Sequence, residues 1–291
     1  MRVPDSANYS AISANLASLT ARHAKAAAEV SSGYRVTSPS TDPRAAAEIA
    51  KLRHAVSRAE GFRSNIGAAR GDAELAEGVL SEASALFERA QELAVQGANG
   101  TLSASERASM AIEISGLRDQ LVSMANTRGP NGFLFSGSAT DTVPFANTGA
   151  FAGNSDPHNV ELGTNHVVNV AIDGAKAFTA AGGVNPFDVL DALATALSTN
   201  DQAAVIATLD NIRNAHSQIV RSRADAGLLL DRLSISESAL DQGDVALKTR
   251  KAVLGEADAS EAMSELVSVQ NAIEQSLAVA KRNLSLRRFE P

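Results

Sequence analysis

The sequence predicts a mainly α-helical protein with a small β insertion, arranged as a long antiparallel helical rod or coiled coil plus an outer β-rich domain. Apolar residues recur with helical spacing through both halves of the chain, whereas the middle is rich in Gly, Asn, Thr and Asp. Hydrophobic residues make up 44% of the chain but aromatic residues only 4%. Small and aliphatic side chains must therefore supply the apolar surface, which suits long, thin helical packing.

The N-terminal half contains the start and stop signals of three helices. An apolar row that steps by four and three residues runs from Ile12 to Val30 and predicts a first helix, which Ser32-Gly33 should end. Asp42-Pro43 predicts the start of a second helix, with Asp42 as the N-cap. Ser103 and Glu106 form a capping-box pattern that predicts a third.

Four glycines interrupt the second predicted helix, and they lead us to expect a kink or break near its middle. They are Gly61, Gly67, Gly71 and Gly78. Each costs about 1 kcal/mol relative to alanine inside a helix.

The middle of the chain predicts an outer β-rich insertion over residues 137–183. Its regular feature is an alternation of apolar residues ending at Ile172, before the turn pair Asp173-Gly174. The flanking helices have complete apolar rows without it. We therefore expect the insertion to contribute little to stability and to tolerate removal.

The C-terminal half predicts three further helices. Asn185-Pro186 predicts the start of the first, with the asparagine as the cap and the proline at the first helical position. Mostly apolar positions are spaced alternately by four and three residues without a break from Val205 to Leu254. This spacing predicts one helix roughly 75–80 Å long at 1.5 Å per residue. Asp258 and Glu261 predict the start of a last helix. Its expected apolar row is Met263, Leu266, Gln270, Ile273, Leu277, Ala280 and Leu284.

The two ends of the chain should pack on each other. We predict terminal coiled-coil assembly segments at 1–40 and 256–291, a helical core at 41–136 and 184–255, and the insertion at 137–183. The terminal pair offers few large apolar side chains against a cost of about 1–2 kcal/mol for each ordered residue. We therefore expect neighbouring molecules to order it.

This pattern makes the terminal helices the predicted assembly interface. Its predicted residues are Ile12, Leu16, Leu19, Val30, Met263, Leu266, Ile273, Leu277 and Leu284.

Composition argues against several other classes of protein. The net charge is -7, and no basic cluster resembles a surface that binds nucleic acid. No stretch approaches the roughly 20 apolar residues of a membrane span, and the N-terminus lacks the apolar core of a cleavable signal peptide. The chain contains no cysteine, so disulfides and thiol chemistry are excluded.

The search for a catalytic or metal site finds no familiar motif, and we expect no catalytic residues, no cofactor and no metal. His158 and His166 could approach each other across a hairpin, with Asp156 or Glu161 nearby, as a metal site. Exposed loop histidines are the favoured interpretation. An enzyme hidden in the insertion stays a remote alternative.

Several motifs resemble the bacterial flagellin family. The segment from Val30 to Pro43 resembles the region after the first helix in that family, and Gln96 to Ser103 resembles the turn between its N-terminal core helices. Ala125 to Arg128, Gly132 to Gly137 and Pro144-Phe145 resemble the branch that joins hook to filament more than ordinary flagellin. Arg221 to Leu233 and Ala257 to Ala262 are similar to the family's long helix and final hinge.

The resemblance implies paired terminal helices, a helical core and a variable outer β domain. It also implies a structural subunit of the extracellular bacterial flagellum, exported by the flagellar type III route without a cleaved signal peptide. The implied partners are copies of the chain in a ring or helical array, a neighbouring hook-associated protein, flagellin and a flagellar export chaperone.

Some residues depart from the family pattern. Pro4, Tyr34 and Thr41 replace the usual residue types, and the C-terminus lacks the usual leucine-rich end. Two alternatives remain open at this point: an ordinary flagellin, and a cytosolic coiled-coil scaffold or adaptor.

Overall fold

A computed structural model of the chain describes residues 5–287, with side chains from Tyr9 to Arg282. The helices among these residues are α1 (Asp5–Ser32), α2 (Pro43–Gly97), α3 (Ala104–Ala125), α4 (Gly174–Phe178), α5 (Pro186–Ser198), α6 (Gln202–Gly255) and α7 (Ala259–Arg287). A 3-10 turn covers Ala180–Gly182.

The described strands form two small antiparallel sheets of two strands each. One pairs β1 (Arg128–Gly129) with β2 (Gly132–Phe133), and the other pairs β3 (Asn159–Gly163) with β4 (His166–Asn169). The protein is therefore mainly α-helical with little β structure.

Helices begin where the capping residues predicted. The Asp42 carboxylate accepts the Ala45 N–H at 2.9 Å, and α2 begins at Pro43. Both hydrogen bonds of the capping box between Ser103 and Glu106 are present at the start of α3. These caps satisfy N–H groups that the first helical turn leaves without partners.

The predicted break in α2 is wrong, because α2 is one helix of 55 residues. Its glycines do not lie on the buried face, which continues without interruption through Ile66, Ala73, Leu80 and Phe87. The apolar contacts of that face outweigh the low helix propensity of the glycines.

The chain divides into two compact units, which are described separately. The first contains the described residues up to Arg58 and those from Gly243 onward, and the second contains residues 59–242. Helices α2 and α6 contribute to both units.

The core of the second unit lies among α2, α3, α5 and α6. It buries large side chains from each helix, including Phe87, Ile114, Leu121, Leu190 and Ile219. Two ion pairs join α2 to α6 in this unit, Arg70–Glu237 at 2.6 Å and Arg223–Glu77 at 2.5 Å. Their order along the chain shows that the two helices run antiparallel.

The expectation that residues 137–183 lie outside the core is wrong. Phe145 and Phe178 are 1% and 0% exposed, and both belong to the main core cluster. Their rings lie 5.6 Å apart, and each also contacts Phe187 of α5. Leu162 of β3 is buried against Ile66 and Leu233 in a second cluster. The segment is thus part of the core of the second unit.

Candidate assembly interface

The first unit is built on contact between α1 and α7, the pairing that the sequence predicts. Leu19 and Ala26 of α1 are buried, as are Ala262 and Val269 of α7. The small alanines allow the two helices to approach closely. Beside these residues, the Arg22 guanidinium binds the Glu265 carboxylate at 2.6 Å.

The predicted interface residues whose side chains the structure describes fall into three groups. Leu19 is buried, and Ile12, Leu16, Val30, Leu266 and Ile273 are half-buried. Met263 and Leu277 are 55% and 42% exposed. Leu284 lies outside the residues whose side chains the structure describes.

The buried row on α7 differs from the predicted row. It consists of the buried Ala262 and Val269 and the half-buried Leu266 and Ile273, and it shares the two half-buried residues with the predicted row. Both rows have four-three spacing, so spacing alone could not distinguish them. Sequence reasoning favoured the larger side chains and missed Ala262 and Val269.

An apolar row on α7 is consequently left uncovered within the described residues. Met263, Val267 and Leu277 are each more than two-fifths exposed. An open groove also runs between the two helices, and Ile12, Leu19 and Val279 are among its lining residues. The first unit thus presents apolar surface that a further helix could cover.

Two loops close the first unit beside the helix pair. Gly33 has a φ of 72°, and its N–H binds the Glu29 carbonyl to end α1. Tyr34 then forms an isolated antiparallel bridge with Glu256. The Arg35 N–H donates to the Gly255 carbonyl at 2.8 Å, and the Ala257 N–H donates to the Gly33 carbonyl at 2.9 Å.

Arg35 connects this bridge to the ends of two long helices. Its guanidinium donates to the Leu254 carbonyl at 2.9 Å and lies 3.5 Å from the Asp42 carboxylate. The N–H of Ala45, and to a lesser degree Arg35, hold the pKa of Asp42 below its ordinary value of 3.8, against the opposing effect of desolvation. Arg35 therefore complements the C-terminal dipole of α6 and the cap of α2.

The motifs that resemble the junction branch meet in the second unit. The Asn126 side chain donates to the Phe145 carbonyl at 2.8 Å and accepts the Phe145 N–H at 2.9 Å. Phe135 packs edge-on against Phe178, with ring centroids 5.1 Å apart. One amide side chain thus fixes Pro144-Phe145 against the end of α3.

The candidate metal pair gains no support from its surroundings. Within residues 5–287, no group of three His, Asp or Glu side chains is placed to hold a metal ion. His166 instead lies 3.4 Å from the Ser236 hydroxyl. None of the helices described has the length and apolar character needed to span a bilayer.

Comparison with known proteins gives consistent matches. Residues 4–140 match the family model for the bacterial flagellin N-terminal helical region. The flagellar hook-associated protein 3 of Salmonella typhimurium is 28% identical over 300 residues, covering 95% of each chain. The Escherichia coli protein of the same name is 29% identical over 272 residues, covering 85% of this chain and 86% of that protein.

A solved structure shows that the fold is shared as well. The flagellar hook-associated protein 3 of Legionella pneumophila aligns with a TM-score of 0.61 at 19% identity, covering 70% of this chain and 98% of that one. Residues 4–140 of the chain are therefore similar to the N-terminal helical region of bacterial flagellin, and most of the chain is similar to flagellar hook-associated protein 3.

Proposed function

We propose that the chain is a structural subunit of the bacterial flagellum and forms the junction between hook and filament through its terminal helices. Similarity to hook-associated protein 3 along nearly the whole chain supports this function. The exposed apolar row on α7 supports the mode of action, because such a row is typical of a surface that another molecule covers.

The assembly interface in this proposal comprises segments 1–40 and 256–291. Contact between α1 and α7 buries one face of each helix, and the row containing Met263, Val267 and Leu277 faces a neighbouring molecule. The neighbours are copies of the chain, a hook-associated protein on one side and flagellin on the other. An export chaperone covers the same apolar surface before secretion by the flagellar type III route.

Deleting the gene tests the function directly. The mutant should assemble hooks without filaments and release flagellin into the medium, and the gene in trans should restore filaments. Normal filaments in the deletion strain would contradict the junction function. Retention of the protein inside wild-type cells would favour the cytosolic scaffold instead.

A junction subunit and an ordinary flagellin should occupy different positions along the flagellum. An ordinary flagellin polymerises along the filament, whereas a junction subunit lies only where hook and filament meet. Immunogold labelling of intact flagella should therefore label one position beside the hook. Labelling along the filament would contradict the junction proposal and favour flagellin.

A further inference from the structure

The chain offers oxidants thioether sulfurs but no thiol. It contains four methionines and no cysteine or tryptophan. Methionine is oxidised to its sulfoxide, which turns a flexible apolar side chain into a polar one. The effect of oxidation on this protein therefore depends on where its methionines lie.

Burial divides the three methionines that the structure describes. Met263 of α7 is 55% exposed, whereas Met110 and Met124 of α3 are 9% and 8% exposed and belong to the main core cluster. An oxidant in solution reaches Met263 in the folded chain, but it reaches the two core residues only when the second unit opens. Met1 lies outside the described residues. Among the described methionines, oxidation should therefore select Met263.

Met263 begins the uncovered apolar row on α7. Leu266 and Val267 follow it by three and four residues, so the three side chains are neighbours on the helix surface. Leu266 is half-buried and Val267 is 56% exposed. Further along the same face lie the exposed polar residues Gln270 and Glu274. Met263, Leu266 and Val267 thus form an apolar patch, the Met263 patch, near the start of α7.

Oxidation would place a polar group inside the Met263 patch. A peroxide transfers one oxygen atom to the Met263 sulfur and is itself reduced to water, so the thioether becomes a sulfoxide. The sulfoxide oxygen accepts hydrogen bonds, which water supplies in the isolated chain. Leu266 and Val267 carry no side-chain donor, so the oxygen loses those bonds when another molecule covers the patch. A buried acceptor without a donor destabilises the contact.

We propose that Met263 is an oxidation site at which peroxide blocks assembly of the terminal helices without unfolding the chain. This role rests on the proposed function, because it requires a neighbouring molecule to cover the Met263 patch. The loss of hydrogen bonds on burial should weaken association by about tenfold. Enzymatic reduction of the sulfoxide should restore association, because this oxidation step is reversible.

Peptide mass spectrometry tests the selectivity for Met263. The full chain is treated with hydrogen peroxide, digested at intervals and compared with a sample treated in urea. Met263 should be oxidised in the folded chain well before Met110 and Met124, and all three should react at similar rates in urea. Equal rates in the folded chain would overturn the assignment of Met263 as the oxidation site.

Assembly on isolated hooks from the deletion strain, with flagellin added, tests the consequence of oxidation. Restoring filaments should require about tenfold more of the peroxide-treated chain than of the untreated chain. Reductases that act on both sulfoxide epimers should reverse this loss. Circular dichroism should give the same melting temperature before and after treatment.

A variant without this thioether identifies the methionine responsible. Met263→Leu keeps the other three methionines. Its assembly is compared with that of its own untreated sample, and peroxide should not change it. Equal inhibition of the natural chain and of Met263→Leu by peroxide would overturn the proposal.

A substitution reproduces the sulfoxide without an oxidant. Met263→Gln places an uncharged polar group of similar length on the Met263 patch, so it should weaken assembly and leave the melting temperature unchanged. The matched control Ile112→Gln makes the same kind of change at a side chain that is 76% exposed on α3, and it should still assemble. Normal assembly of Met263→Gln would overturn the proposal.

The natural chain distinguishes failure of this role from failure of the proposed function. Untreated natural protein that fails to restore filaments would overturn the proposed function. Protein oxidised at Met263 that restores filaments normally would overturn only the role of Met263.

Discussion

Arg107 is a buried cation that binds carbonyl groups instead of a carboxylate. It is 5% exposed, and its guanidinium donates to the Gly97 carbonyl at 2.9 Å, the Asn99 carbonyl at 2.8 Å and the Asn200 side-chain oxygen. Gly97 ends α2, so the positive charge lies at the negative end of that helix dipole. This one side chain joins the turn after α2 to the turn before α6.

Replacing Arg107 should destabilise the second unit. Arg107→Met keeps much of the apolar volume but leaves three oxygen acceptors without their donor, at a cost of about 2–3 kcal/mol. Urea unfolding followed by circular dichroism measures the change. Arg213→Met is the control, because Arg213 is exposed and its ion pair among the described residues is with Asp210 on its own helix. An equal effect of both variants would contradict the structural importance of Arg107.

The cap at Asp42 should make the stability of the first unit depend on pH. The folded pKa of Asp42 is lowered, so its charge stabilises the fold above the ordinary value of 3.8 and this contribution is lost as pH falls through the folded value. Asp42→Asn keeps a capping oxygen without the titration. The difference in melting temperature between wild type and Asp42→Asn should therefore shrink below about pH 4. A constant difference from pH 7 to pH 3 would contradict this assignment.

Among the elements, the insertion should matter far more to stability than its composition suggests. The buried phenylalanines make it a structural part of the second unit. Phe178→Ala should lower the free energy of unfolding by about 3–5 kcal/mol, because it leaves a cavity among Phe135, Phe145 and Phe187. The control is Val143→Ala, at a side chain that is 52% exposed. Similar unfolding curves for the two variants would contradict the packing.

A larger change tests the same packing of the insertion. Replacing residues 138–183 with a Gly/Ser bridge deletes Phe145, Leu162 and Phe178 together, so cooperative unfolding should occur at a much lower temperature. Shortening only the turn at Thr164-Asn165 should have little effect, because both residues are exposed and Asn165 has a positive φ. A full deletion as stable as wild type would show that the helices close the core alone.

At the scale of the whole molecule, two substitutions on α7 should separate assembly from folding. Leu277 is 42% exposed in the isolated chain, so Leu277→Asp should leave thermal unfolding nearly unchanged and abolish junction assembly. Val269 is 1% exposed, so Val269→Asp should disrupt the packing of α1 on α7 as well. Filament restoration and circular dichroism measure the two effects. A Leu277→Asp protein that restores filaments would contradict the proposed interface.

The terminal helices should be less protected from exchange than the helices of the second unit. Their contact buries Leu19 and Val269 as its large side chains, together with two alanines. Amide hydrogen exchange on the isolated chain should therefore be fast across Leu16 to Val30 and slow around Leu80 and Ile114. Assembly should slow exchange in the terminal segment. Equal protection of both regions at low concentration would contradict assembly-dependent ordering.

The sequence by itself determined where most helices begin and end. Asp42, Ser103, Asn185 and Asp258 each cap a helix at the predicted place, and Gly33 follows the last residue of α1. These signals act between residues two to four positions apart, so no distant partner is needed to interpret them. The regular four-three spacing of apolar residues in α6 is also a local signal, and α6 is one helix of 54 residues.

Only the tertiary structure decided which surfaces are buried. Two overlapping rows on α7 have the same spacing, and contact with α1 selects the row containing Ala262 and Val269. Phe145 and Phe178 lie among turn residues without periodicity, and their burial depends on α5 and on Asn126. Burial is a property of the partner as well as of the side chain. A pattern confined to one segment cannot determine it.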